Sequence, residues 1–290
     1  MTAPEGLLLI DKPAGITSHD VVDRVRRALG TRKVGHAGTL DPLATGLLLV
    51  GVGRATRLLR FLSELPKTYE GSALLGVETD TLDADGTIVR RASVDVRRSA
   101  LERALAAREG DSMQAPPAYS AVKVGGRTLH SAARSGEELR AAARPISVES
   151  FRLRGFGADA FDFEVTCSSG TYVRVLVAGV GSELGAGAHL TRLVRTRIGP
   201  FSVADARSPE DPGTPLPVER AVAHLPRLEL QEEEATAAGH GRVLGPAGIE
   251  GPYGVYAPGG RLIGVYRDDG ANARAEVILA VPVDGAPAGH

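Results

Sequence analysis

The chain has 290 residues, 43% of them hydrophobic, and 34 Lys and Arg against 35 Asp and Glu, a formal net charge of −1. That is enough apolar material for one large domain, or one large and one small, and it excludes an indiscriminate polycationic nucleic-acid binder. A single cysteine, Cys167, excludes an intramolecular disulfide and a Cys-rich zinc site. No apolar run reaches the length of a membrane span, and no basic region followed by a signal-type apolar stretch opens the chain, so a cytoplasmic protein is expected. The charge is uneven. From Pro226 onward five arginines face nine carboxylates, a balance of −4, which leaves +3 for residues 1–225. Only Lys12, Lys33, Lys67 and Lys123 are lysines. Arginines suit phosphate forks, so the charge permits an RNA partner with a local basic face without demanding one.

Leu7 to Ile10 reads as a short apolar strand and Asp11 to Gly15 as a turn. Thr17 with Asp20 three residues on reads as a capping box. Val21, Val22, Val25 and Leu29 share one face of the helix that follows, and Arg24, Arg26 and Arg27 the other, with Arg32 and Lys33 just beyond. That charge run is either a solvated face or a phosphate-facing surface.

Gly35 to Gly46 holds three glycines, a proline, two threonines, His36 and Asp41. It is a poor helix and a poor strand, and it predicts a long loop. Leu47 to Val52 behind it predicts a buried strand, so Asp41 is pinned to the core. Pro42 biases Asp41 towards an extended backbone. As a lone Asp-Pro, Asp41 reads as an Asx-turn; as a half-buried carboxylate it calls for a cationic or hydrogen-bonding partner.

Arg54 to Leu62 predicts a helix with Ala55, Leu58, Leu59 and Leu62 inward, and Pro66 to Leu75 a strand in which Tyr69 is an ordinary aromatic. Thr79 to Gly86 fails as a calcium loop, because the first ligand position would be Thr81 and the closing one Ala92. It reads as an acidic turn. Val94 to Gly110 contains a helix, and Gln114 to Lys123 is extended and proline-stiffened. Val124 to Ala143 is a polar excursion that reads as a surface hairpin and helix. Pro145 to Phe156 and Ala160 to Cys167 predict strands. Val173, Leu176, Val177, Val180 and Leu184 form a helical stripe, with Tyr172 and Arg174 in its first turn. A cation at a helix start opposes the dipole unless an anion stands beside it, and Asp41 is the candidate. Gly185 to Phe201 closes this part, with Arg192, Arg195 and Arg197 unassigned. Asp205 to Pro217 is rich in Pro, Ser and acids and looks like a linker. A short helix at Glu229 to Glu234 and strands at Gly254–Ala257, Leu262–Tyr266 and Ala275–Pro282 predict a small β-rich second unit. No P-loop, dinucleotide fingerprint, HExxH or GxSxG pattern is present, and no metal or organic cofactor is expected.

The stretch Gly35-His36-Ala37-Gly38-Thr39-Leu40-Asp41-Pro42-Leu43-Ala44-Thr45-Gly46-Leu47-Leu48 resembles the catalytic motif of TruB-type pseudouridine synthases. The resemblance extends over about residues 5–202. It takes in Ile10-Asp11-Lys12-Pro13, Lys67-x-Tyr69, Gln114 to Lys123, Ser169-Gly170-Thr171-Tyr172-x-Arg174, and Leu193-x-Arg195-x-x-Ile198-Gly199-Pro200-Phe201. It implies an α+β fold, a mainly antiparallel mixed sheet flanked by helices, with a PUA-like C-terminal domain that departs from the pattern in being short and acidic. The implied boundaries are 1–210 for the catalytic domain with a thumb insertion at about 124–144, 211–225 for a linker, 226–284 for the second domain and 285–290 for a tail.

The implied activity is isomerisation of uridine to pseudouridine at position 55 in the T-loop of tRNA, without cofactor or metal. Asp41 would be the nucleophile or the ribose-activating base, salt-bridged by Arg174. Tyr69 would stack on the flipped base, Leu193 pack on it, and Tyr172 or Tyr69 handle the C5 proton. His36 would fill the vacated space in the loop, and Lys12 and Arg57 would meet the substrate. The thumb would order against the T-stem. The partner implied is the tRNA T stem-loop, bound by a monomer with no obligatory protein partner and no membrane. His36, the thumb and the lack of an N-terminal RNA-binding extension favour the TruB type over guide-RNA relatives. A tRNA chaperone and an α+β enzyme acting away from RNA are the alternatives.

Overall fold

The computed structural model describes residues 4–137 and 139–279. Strand β1 (Gly6–Lys12) leads through a turn to helix α1 (Ser18–Leu29). The capping box forms as expected: the Asp20 N–H donates to Thr17 Oγ1 at 3.1 Å and the Thr17 N–H to Asp20 Oδ2 at 2.7 Å. Gly30, at φ 61°, ends the helix. Strands β2 (Val34–Ala37) and β3 (Thr45–Val52) follow, and β3 pairs antiparallel with β1 on one edge and with β2 on the other. The expected long loop is therefore shorter than its composition suggests. Gly35 and His36 belong to β2, because β3 offers an unpaired edge there and Val34 and Ala37 bury against it. Only residues 38–44 are irregular.

In place of one helix over Arg54–Leu62, a 3-10 stretch (Gly53–Leu58) runs into helix α2 (Leu59–Ser63), with Ala55, Leu58 and Leu62 buried as the pattern requires. Strand β4 (Lys67–Leu75) is central. Strands β5 (Val77–Thr79) and β6 (Ile88–Arg91) form a hairpin around the acidic turn. Helix α3 (Arg98–Ala106) leads to β7 (Gly110–Gln114). The polar excursion is a small hairpin, β8 (Lys123–Val124) and β9 (Arg127–Thr128), then helix α4 (Leu129–Arg134). Strands β10 (Arg144–Phe156) and β11 (Ala160–Cys167), helix α5 (Val173–Glu183), β12 (Ala188–Ile198) and β13 (Phe201–Ser202) complete the first part.

These strands make a nine-stranded sheet ordered β1-β3-β12-β4-β11-β10-β7, with β2 alongside β3 and β13 alongside β12. The β3–β12 pairing is parallel and the others are antiparallel. This is the mainly antiparallel mixed sheet that was expected. The apolar stripe of α5 packs with Leu101 and Leu105 of α3 over Phe161, Phe163 and Val165 of β11.

The linker reading of residues 205–217 does not hold. The segment is laid along β1: Arg207 N–H donates to Leu9 O at 2.9 Å, and Leu7 and Leu216 exchange hydrogen bonds of 2.9 and 2.8 Å. Its polar composition reads as a free connection, yet the open backbone groups of an edge strand recruit it. Val218, Ala221 and Val222 then bury in the same core as Leu58 and Phe61.

The C-terminal part holds β14 (Arg227–Glu229), α6 (Glu232–Gly239), β15 (Pro252–Tyr256), β16 (Leu262–Asp269) and β17 (Asn272–Ile278) in a four-stranded sheet of that order. Tyr256, Leu262, Val265, Val277 and Leu279 share a core with Leu58, Phe61 and Val222 of the first part. The expected end of the last strand at Pro282, the domain end at 284 and the tail lie outside the described residues. No described helix is long and apolar enough to cross a membrane.

Candidate active site

Asp41 sits in a loop most of whose carbonyls accept hydrogen bonds. Gly38 O and Thr39 O accept from the Arg195 guanidinium at 3.0 and 3.4 Å. Ser18 bonds both the N–H and the carbonyl of Leu40, at 2.9 and 3.2 Å. Pro42 O accepts from the Gly15 N–H at 2.9 Å and from Lys12 Nζ at 3.3 Å. A loop of this composition would otherwise wander; here α1, β1 and β12 each hold part of it. Gly46 is needed where β3 meets β12: it lies at φ 97°, and a Cβ there would stand 2.4 Å from Arg195 O.

The loop closes one wall of a cavity of about 430 Å³, lined among others by Asp41, Tyr69, Tyr172, Arg174, Leu193 and Arg195. Arg174 projects from the first turn of α5 and is buried. Its Nη2 meets Asp41 Oδ2 at 3.1 Å, which is the anionic neighbour that the helix start required. Its Nη1 meets Asp83 Oδ2 at 3.4 Å, and it also donates to Tyr119 O at 2.8 Å and Thr81 O at 3.2 Å. Asp83 thus belongs to the site, although the sequence alone left it in an acidic turn.

The Asp41 side chain keeps 44% of its surface open, but that surface faces a concave wall. Burial there pushes its carboxyl above the ordinary range, Arg174 pulls it down, and Asp83 pushes it up again. Lys67 and Tyr69 are two apart on β4, and Leu193 and Arg195 two apart on β12, so the four share one sheet face. Tyr69 registers against Arg195 and Leu193 against Gly71. Burial pushes the Tyr69 phenol up, while the Arg195 guanidinium, in hydrogen-bond contact, pulls it down. Arg195 is 1% exposed and was missed in the sequence because Arg192 and Arg197 on the same strand are ordinary exposed arginines.

Tyr172 is the N-cap of α5 and lines the cavity beside Arg174. His36 lies on β2 behind the loop, outside the lining; its Nδ1 is buried without a partner, and burial, then Arg195 and His19, push its imidazole below the ordinary range. Two expected substrate contacts are placed otherwise. Lys12 is fully buried, its ammonium held by the carbonyls of Ile16 (2.7 Å), Pro13 (3.0 Å) and Pro42, so it braces the loop. Arg57 is turned away and donates to Ile278 O of the C-terminal sheet. Among the described residues no group of three or more His, Cys, Asp or Glu is placed to hold a metal ion.

Residues 26–173 match the family model described as TruB family pseudouridylate synthase (N terminal domain), and residues 225–280 the one described as tRNA Pseudouridine synthase II, C terminal. The chain is 44% identical over 289 residues to the tRNA pseudouridine synthase B of Mycolicibacterium paratuberculosis, covering 96% of this chain and 98% of that one. It is also 44% identical over 289 residues to the tRNA pseudouridine synthase B of Thermobifida fusca, covering 95% and 99%. Among solved structures it is similar to the archaeal box H/ACA sRNP Nop10-Cbf5 complex, at 25% identity and a TM-score of 0.75, over 97% of this chain and 88% of that one. With both family models matched in order and such identity over nearly its whole length, the chain belongs to the TruB family of pseudouridylate synthases.

Proposed function

We propose that this chain isomerises uridine to pseudouridine in the T-loop of tRNA, at position 55, with Asp41 as the reacting carboxylate. The observation that carries the reading is the cavity itself. A loop-borne carboxylate, ion-paired at 3.1 Å to a buried arginine, faces a floor made by an aromatic ring and a leucine. That arrangement suits a flat base held beside a charged group. The exchange moves uracil from a C1′–N1 to a C1′–C5 bond and transfers no electrons or groups to another molecule, so the chain's own residues suffice.

A uracil inside a folded T-loop is out of reach in place, so the nucleotide is flipped into the cavity, at a cost of about a few kcal/mol. Tyr69 and Leu193 receive the base. Arg174 keeps the Asp41 carboxylate charged and aimed, and Asp83 holds Arg174. Tyr172 or Tyr69 handles the C5 proton. His36, kept neutral by its burial, fills the space that the base leaves. The hairpin and helix over residues 123–134, whose α4 N–H groups at Leu129 and His130 hold Val122 O and Ser120 O at 2.8 and 3.0 Å, clasp the T-stem. The chain acts on tRNA in the cytoplasm, as a monomer without a protein partner.

The test is tritium release from unmodified tRNA labelled at uracil C5, with wild type, Asp41→Asn, and a substrate whose target uridine is cytidine. Release by wild type alone, and only with uridine, is the expected result. A folded wild type that binds tRNA and releases no tritium would overturn the reading.

A further inference from the structure

The cavity carries more positive charge than the Asp41–Arg174 pair accounts for. Lys67 and Arg195 line it along with Tyr69, and both are buried. Among the described residues neither has a carboxylate within ion-pair distance. Neutral oxygens hold them instead: Lys67 Nζ donates to Ser63 O and Leu65 O at 2.7 Å each, and Arg195 Nε to Leu47 O at 2.7 Å besides its two bonds to the Asp41 loop. Carbonyls orient a cation without cancelling its charge. The nearby Cys167 thiol is pushed up to about 11 by burial, so it supplies no anion at neutral pH. An unpaired buried cation is costly, and two of them facing one cavity form a positive site built for a charge that arrives from outside. An ammonium has three donors and a guanidinium five, so the bonds described leave at least one donor unused on each.

We propose that Lys67 and Arg195 form an anion hole for the uracil ring while it is detached from the ribose. The inference rests on the isomerase reading above. The C1′–N1 bond breaks with both electrons staying on the ring, which becomes a uracil anion with charge on N1, O2, O4 and C5. The electron-poor C1′ is satisfied by the Asp41 carboxylate, either by a bond to it or by loss of the ribose 2′ proton to it. The ring turns, C5 gives its electron pair to C1′, and Asp41 is released with its bond or its proton returned. The proton on C5 then leaves and N1 gains one, so the composition is unchanged. Preorganised donors aimed at a charge that exists only during reaction lower its barrier more than they tighten substrate binding.

The experiment compares wild type, Lys67→Met, Lys67→Arg and Arg195→Lys in single turnovers on tRNA with uridine or 5-fluorouridine at the target position, read by nucleoside chromatography. Fluorine makes the ring a better anion. Lys67→Met is expected to bind tRNA as wild type does and to lose on the order of 10²–10³-fold in rate with uridine. The deficit shrinks with 5-fluorouridine, and Lys67→Arg recovers most of it. Arg195→Lys, which keeps the charge and loses part of the fork, shows a smaller deficit with the same leaving-group dependence, so a misfolded Lys67→Met leaves the test standing. Folded variants within about threefold of wild type, equal deficits for the two bases, or a loss confined to tRNA affinity would overturn the proposal. A wild type inert on uridine would sink the isomerase reading itself; an active wild type with unimpaired variants sinks only the anion hole.

Discussion

Gln114 closes its carboxamide on the main chain of Tyr172: the Tyr172 N–H donates to Gln114 Oε1 at 2.8 Å, and Gln114 Nε2 donates to Tyr172 O at 3.2 Å. The last residue of an edge strand thereby fixes the start of α5, from which Arg174 reaches the cavity. Gln114→Ala leaves the Tyr172 N–H without this acceptor, while the Tyr172 carbonyl keeps the Val175 and Leu176 N–H groups at 3.1 and 3.3 Å. The expected cost is about 1–3 kcal/mol of stability, read from urea denaturation, with a fall in kcat larger than any change in KM.

Arg174 is shared, and each carboxylate that holds it does something different. Asp83 is buried, whereas Asp41 is open to the cavity. Arg174→Ala removes the only cation at ion-pair distance from Asp83 among the described residues, and about 3–5 kcal/mol of stability is expected to go with it. Asp83→Asn keeps the shape and lets the guanidinium drift. Its stability should fall less, while the single-turnover rate falls by more than tenfold.

Asp41→Asn should abolish tritium release while leaving the protein as stable as wild type or more so. The folded state raises the Asp41 pKa above its ordinary value, chiefly by burial, which means that the folded state disfavours the charged form. At neutral pH the group is charged in the unfolded chain and costs the folded one stability; a neutral amide removes that cost. The denaturation midpoint at pH 7 checks it. The same shift sets the acid side of the activity profile: as pH falls, the carboxylate is lost at a pH above the ordinary 3.8.

Lys12 and Lys67 predict an unusual alkaline behaviour. Burial lowers both from 10.5 to about 8, against the help that Asp41 gives Lys12. Between pH 8 and 10.5 the unfolded chain therefore holds more protons than the folded one, and stability rises with pH across that window. The contribution is absent below about 8 and complete above 10.5. Melting temperatures of wild type from pH 7 to pH 10, against Lys12→Met and Lys67→Met, test it: the upward contribution should vanish at each removed lysine.

Much of the site was legible in the sequence because its signals are local. The glycines and Pro42 mark the Asp41 loop, and the stripe from Val173 to Leu184 places Arg174 at a helix start where it needs an anion. What stayed hidden depends on register and on single backbone angles. Asp83 competes with Asp80 and Asp85 in one short turn; it is chosen because Leu82 adopts a left-handed φ of 65° and its carbonyl takes the Leu190 N–H at 3.0 Å, fixing Asp83 against β12. Alternation along β12 puts Arg192 on the other face from Arg195, and Arg197, two residues beyond Arg195, faces outward because the β4–β12 pairing is irregular between Arg195 and Arg197. The carbonyls that hold Lys12 and Arg57 were not legible either: a basic residue in a motif says nothing about which main-chain oxygens lie within its reach.

The acidic C-terminal sheet shares its apolar core with α2 and with the segment after residue 217. It therefore does not behave as a bead on a string. The whole chain should melt in one calorimetric step, with van't Hoff and calorimetric enthalpies that agree. A chain cut near residue 225 would bare Leu58, Phe61 and Val222 to water and gather into aggregates, so the catalytic part cannot be shortened to a minimal enzyme by trimming at that boundary.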